Sequence, residues 1–204
     1  MYEEFMGTKP VAERMKVDLD ALSAYMQAHV RGFEGNLQIE QFKGGQSNPT
    51  FKLSAGSQHY VLRTKPAPAA KLLPSAHAID REFRVMDALS KSGFPAAKQY
   101  ALCDDESVIG RAFYIMEFVD GRVLWDQSLP GMSAAERGAH YDEMNRVIAQ
   151  LHSLDYKAVG LETFGKPGNY FQRQIDRWIR QYKAAETEHI PAMENLIEWL
   201  PQNI

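Results

Sequence analysis

The apolar residues of this chain change their spacing once, and that change limits the folds open to it. Up to about residue 119, short runs with strand-like alternation recur, broken by two stretches of helical period; beyond it only helical period remains. Asp18 to Val30 carries Leu19, Leu22, Met26 and Val30 at helical spacing, with acidic residues at its start and Gly32 and Gly35 behind it. Asn36 to Phe42 reads as a first strand. Phe42 to Arg63 reads as two strands joined by a turn at Ser54-Ala55-Gly56-Ser57, with Phe51 and Leu53 on one face and Thr50 and Lys52 on the other. A Pro/Ala-rich connector, KPAPAAKLLPS, leads to a helix that starts at Ser75 or Asp80 and has Ile79, Phe83, Met86 and Leu89 as its stripe. Lys98 to Cys103 follows as a strand, and Val108 to Val119, nicked at Gly110, returns as one strand or two. Then come helices only. One opens at a capping box, Ser133 with Glu136, and carries Tyr141, Met144, Ile148 and Leu151; one begins near Asn169; one begins near Pro191. This order predicts an α+β chain: a lead-in over 1–17, a small antiparallel sheet lobe with an inserted helix over 18–119, and the start of a helical lobe over 120–204.

Composition narrows the function classes. With 204 residues, 45% hydrophobic, the chain can build one sizeable core or two small ones. A net charge of −3 does not suit nucleic acid or an anionic membrane. The single cysteine, Cys103, allows no intrachain disulfide and fits a reducing compartment. The most apolar run, Ala112 to Val119, is far shorter than a membrane span of ~20 residues, and MYEEFMGTKP lacks the order of a signal peptide. A cytoplasmic protein is expected.

The chemistry-bearing stretch is Gly44 to Thr50. Gly44 and Gly45 let a ligand approach the backbone N–H groups, and Gln46, Ser47, Asn48 and Thr50 add short polar donors. Arg63 ends the returning strand. A donor-rich flap and a guanidinium suit phosphate oxygens. An ordinary hairpin with a Gly-Gly turn accounts for the same letters, because neither the lysine-terminated P-loop pattern nor a full G-x-G-x-x-G is present. Glu82, one turn after Ile79 on the inserted helix, is placed to pair with Arg63; a solvated surface charge is the plain alternative.

The segments GGQSNPTF (44–51), YVLR (60–63), REFRVMDAL (81–89), FYIMEFVDG (113–121) and Leu151-His152 together resemble the aminoglycoside phosphotransferase-like family of the protein kinase-like fold. Within it the subgroup associated with acyl-CoA dehydrogenases is the nearest in wording. The resemblance implies an ATP-dependent phosphotransferase that moves the γ-phosphate to a hydroxyl of a small molecule, with Mg²⁺. It implies that Gly44 to Thr50 cover the ATP phosphates and that Arg63 stands where kinases have a lysine, with Glu82 as its partner. Met116 would back the adenine, and the Glu117 carbonyl and Val119 N–H would bond its edge. The implied partners are a nucleotide and a hydroxyl acceptor, with no nucleic acid and no membrane.

The family also requires a catalytic-loop aspartate, a following asparagine and an acidic metal ligand. His152 and Asp155 form only H-x-x-D, Gly160 stands where the asparagine belongs, and Thr163-Phe164-Gly165 begins with a threonine where the acidic metal ligand belongs. No catalytic or metal residue is therefore assigned, and both are expected beyond residue 204. The alternatives are a nucleotide-binding module without catalysis and a non-enzymatic interaction protein.

Overall fold

A computed structural model describes residues 6–44, 48–66 and 77–204. The chain falls into two compact units, one ending at Leu161 and the other spanning Glu162–Ile204.

The first unit is built on a six-stranded sheet, antiparallel throughout. Its strands are β1 (Thr8–Lys9), β2 (Leu37–Phe42), β3 (Thr50–Ala55), β4 (Gln58–Thr64), β5 (Gln99–Cys103) and β6 (Phe113–Glu117), in the spatial order β1-β2-β3-β4-β6-β5. Alternation sorts the side chains to two faces. Phe51, Leu53, Tyr60, Leu62, Phe113 and Ile115 form one buried face, and helix α1 (Leu19–His29) covers it with Leu22 and Met26. The α1 start is set by Asp18, whose Oδ1 accepts the N–H groups of Asp20 and Ala21, both at 3.0 Å. Thr50, Arg63, Tyr114 and Met116 alternate to the opposite face, where helix α2 (Ile79–Lys91) packs. Ile79, Ala112 and Tyr114 make a second, smaller core there, with Phe83, Leu102 and Met116 against it.

Three details depart from the sequence reading. The turn between β3 and β4 is tighter than the four residues expected, because the strands pair out to Ala55 opposite Gln58 and leave only Gly56 and Ser57, with Gly56 at φ +59°. Residues 8–9, within the expected lead-in, pair with β2 as a short edge strand, and Arg111 holds the following turn by donating to the Met15 carbonyl at 2.8 Å. The strand expected from Val108 begins only at Phe113. Asp105 Oδ1 accepts the Ser107 N–H at 2.9 Å and Gly110 adopts φ +79°, so the chain turns where a strand would need extended backbone.

Helix α3 (Ala134–His152) completes this unit's regular structure. Its capping box forms as expected: Ser133 Oγ accepts the Glu136 N–H and the Glu136 carboxylate accepts the Ser133 N–H. In the second unit, α4 (Tyr170–Ala185) and α5 (Pro191–Trp199) are joined by Lys183, whose ammonium bonds the Glu194 carboxylate. Among the described residues no helix is long and apolar enough to cross a membrane.

Candidate functional site

Arg63 and Glu82 meet on the α2 side of the sheet. Arg63 lies next to last on β4, and its odd position in the alternation turns it away from the α1 core. Glu82 lies in the first turn of α2, one residue before the inward-facing Phe83. The guanidinium grips the carboxylate with two donors, Nε to Oε2 at 2.6 Å and Nη2 to Oε1 at 3.4 Å. Both side chains are partly covered, at 27% and 35% exposure, so the pair is less screened than a surface pair yet reachable by a ligand.

Three further side chains complete the arrangement. Thr50, directly opposite Arg63 across the β3–β4 ladder, accepts a bond from Arg63 Nη1 at 3.0 Å. Tyr114, opposite Arg63 on β6, donates its hydroxyl to Glu82 Oε2 at 3.2 Å. Asn48 donates Nδ2 to Glu82 Oε1 at 2.8 Å. The Glu82 carboxylate thus takes four hydrogen bonds, from Arg63, Tyr114 and Asn48. Burial alone would lower the Arg63 pKa; the hydrogen bond and charge of Glu82 outweigh it and raise the value. Burial and the Glu82 charge push the Tyr114 phenol well above its usual range, so it stays a donor.

The other expected site residues lie as follows. Gly44 is at the end of the described flap, whereas Gly45, Gln46 and Ser47 lie outside the described residues. Asn48 is buried, at 3% exposure, and its carboxamide is engaged at both ends. Met116 is packed in the small core under α2, on the Arg63 face. Glu117 ends β6; its N–H donates to the Lys98 carbonyl at 2.8 Å and its carboxylate accepts the Lys98 N–H at 3.0 Å. Val119, two residues on, is 65% exposed. Asp155 accepts the backbone N–H groups of Lys157 and Ala158, at 2.9 and 3.3 Å, which makes it a turn cap.

Tyr114 and His77 were not singled out by sequence reasoning. Tyr114 carried a signal: it shares the period-2 face of Met116 and so of Arg63. His77 carried none, since it precedes the helix in a stretch without periodicity.

An antiparallel sheet with α1 on one face and α2 on the other, the second helix joined to it by a strand arginine and a helix glutamate, is the arrangement of the kinase-like fold. Family comparison agrees with it. The profile described as "Phosphotransferase enzyme family" matches residues 38–204, most of the chain. The chain belongs to this phosphotransferase family. Its relatives include mouse acyl-CoA dehydrogenase family member 10, 46% identical over 97% of this chain and 18% of that protein. Human acyl-CoA dehydrogenase family member 11 is 47% identical over 95% of this chain and 25% of that protein. A crystal structure from Ralstonia eutropha, provisionally described as an aminoglycoside phosphotransferase, superposes with a TM-score of 0.77 at 65% identity. It matches 93% of this chain and 54% of the crystallised one. The phosphotransferase chain described here therefore spans about a quarter or less of these two curated relatives and about half of the solved one.

Proposed function

We propose that this chain forms the phosphate-holding part of an ATP-dependent phosphotransferase that transfers the γ-phosphate to a hydroxyl of a small molecule. The observation that carries the reading is the Arg63–Glu82 pair on the sheet's α2 face. Three of the five guanidinium N–H groups of Arg63 are used on Glu82 and Thr50, and two remain among the described contacts for phosphate oxygens. The glycine-led stretch 44–50 leads into β3 in the sequence, and backbone N–H groups of such a stretch suit phosphate oxygens. The end of β6 supplies the Glu117 carbonyl and Val119 N–H for an adenine edge, with Met116 behind them.

In this reading the residues bind and orient the nucleotide. Glu82 fixes the guanidinium in one rotamer; Thr50 holds its far nitrogen; Tyr114 and Asn48 neutralise the remaining lone pairs of Glu82. That same saturation leaves Glu82 unsuited to a metal, so the Mg²⁺ that the chemistry calls for takes its ligands elsewhere. Bound there, Mg²⁺ would neutralise the charge of the transferring phosphoryl group.

Asp155, engaged as a turn cap, and Thr163, which has no carboxylate, favour nucleotide binding without transfer by this chain alone. Titration calorimetry with ATP tests the reading: the chain binds ATP, Arg63→Met weakens binding at least tenfold, and ADP competes. An unchanged affinity in Arg63→Met overturns it. An ATP-to-acceptor assay with aminoglycosides and amino alcohols then shows no turnover. Turnover that disappears in Asp155→Asn would restore Asp155 as a catalytic group.

A further inference from the structure

We propose that His77 is a positioning residue for the Arg63–Glu82 pair, acting through Asn48; this rests on the nucleotide reading of that pair. An ionised carboxylate only accepts hydrogen bonds. Asn48 therefore turns its NH₂ toward Glu82 Oε1, at 2.8 Å, and its carbonyl Oδ1 away from it. That oxygen meets His77 Nδ1 at 2.7 Å. An oxygen facing a ring nitrogen at this distance requires the nitrogen to donate, so the network assigns the proton of His77 to Nδ1. The relay runs His77 Nδ1–H to Asn48 Oδ1, Asn48 Nδ2–H to Glu82, and Glu82 to Arg63. It links His77, two residues before α2, to Asn48, two residues before β3, and thus fixes the helix and the flap end against each other at the guanidinium.

Two further observations support the assignment. Asn48 is 3% exposed, so its carboxamide has no solvent alternative to these partners. His77 is held at φ +61°, a left-handed conformation uncommon outside glycine and adopted mostly by asparagine, aspartate and histidine among the rest. Its carbonyl accepts the Ile79 N–H at 2.9 Å, so the same backbone that aims the ring also opens α2, whose N-cap residue, Ala78, has no side-chain cap.

Two substitutions separate the ring from the backbone. His77→Gly keeps the left-handed φ and deletes the donor; His77→Asn keeps the φ and restores an N–H near Nδ1. In this chain, nitrogen NMR should show His77 protonated at Nδ1 and a slowly exchanging Arg63 Nε–H. That Arg63 signal should exchange faster in His77→Gly and recover in His77→Asn, with both variants folded by circular dichroism. ATP affinity should fall by about 3- to 10-fold in His77→Gly, the equivalent of one hydrogen bond, and return in His77→Asn. Protonation at Nε2 alone, or an Arg63 signal and ATP affinity unchanged in His77→Gly, overturns the proposal. If the parent binds no ATP, the nucleotide reading fails, and the tautomer with the Arg63 exchange rates still decides the role of His77.

Discussion

Thr50 and Arg63 stand directly opposite each other on β3 and β4, and the guanidinium donates through Nη1 to the threonine Oγ1 at 3.0 Å. The threonine hydroxyl donates in turn to the Asn48 carbonyl at 3.1 Å, so one side chain joins the flap end to the cation. Thr50→Val keeps the β-branched shape and removes both bonds. It should destabilise the chain by about 1–2 kcal/mol, the range for hydrogen bonds involving a partly exposed charged group. Urea unfolding measures it; a midpoint equal to that of the parent would mean that the contact contributes nothing.

Glu82→Ala removes the acceptor for Arg63, Tyr114 and Asn48 together. The expected loss is about 2–3 kcal/mol, larger than for Thr50→Val because Asn48 is buried and left without a partner for its NH₂. Tyr114→Phe removes one donor of the four and should cost about 1 kcal/mol or less. Reversal of that order in urea unfolding would show that Glu82 is not the centre of the network.

Alkaline pH should weaken the fold through its buried and half-buried phenols. Tyr25, whose hydroxyl donates to the Leu102 carbonyl at 3.0 Å, is pushed up to about 12, first by burial and then by Cys103 beside it. Burial also raises Tyr60, Tyr100 and Tyr114. The unfolded chain releases these protons near the ordinary tyrosine value of about 10 while the folded chain keeps them. Folding stability is then fully present below about pH 10 and falls as pH rises toward 12. Urea midpoints at about pH 8.5 and about pH 11 should differ, and Tyr25→Phe should narrow the difference; equal midpoints in the parent exclude the effect.

The end of β6 separates stability from binding. Glu117→Ala loses the carboxylate that accepts the Lys98 N–H, so it should lower stability by about 0.5–1.5 kcal/mol and leave ATP affinity unchanged, because the proposed adenine contact is backbone. Val119→Pro deletes the N–H proposed for the adenine edge and should weaken ATP by about 2- to 12-fold. Since Phe118 before it stacks on Phe42, with ring centroids 6.5 Å apart, circular dichroism of Val119→Pro must match the parent. Folded Val119→Pro with parental affinity would remove the adenine contact from this strand.

Short-range order was written in the letters. Period-2 alternation assigned Phe51 and Leu53 to one face and Thr50 and Lys52 to the other; the Asp18 start of α1 and the Ser133–Glu136 box of α3 depend on residues within one turn. Such features arise from backbone sterics and local hydrogen bonds, so the sequence by itself determined them. The family segments placed Arg63 and Glu82 on a strand and a helix, but the meeting of the two side chains across 19 positions was decided by the tertiary structure. It follows from strand order: β6 inserts between β4 and β5, which puts Tyr114 beside Arg63 and lets Ile79 of α2 pack against Ala112 and Tyr114. Two side chains could not be read beforehand for the same reason. Asn48 looked like a free donor until the partly covered Glu82 carboxylate, 34 positions away, claimed its NH₂, and His77 gained a partner only once β3 and α2 were brought together. Hydrogen bonds between distant side chains depend on which faces are buried against each other, and no local pattern in a chain encodes that.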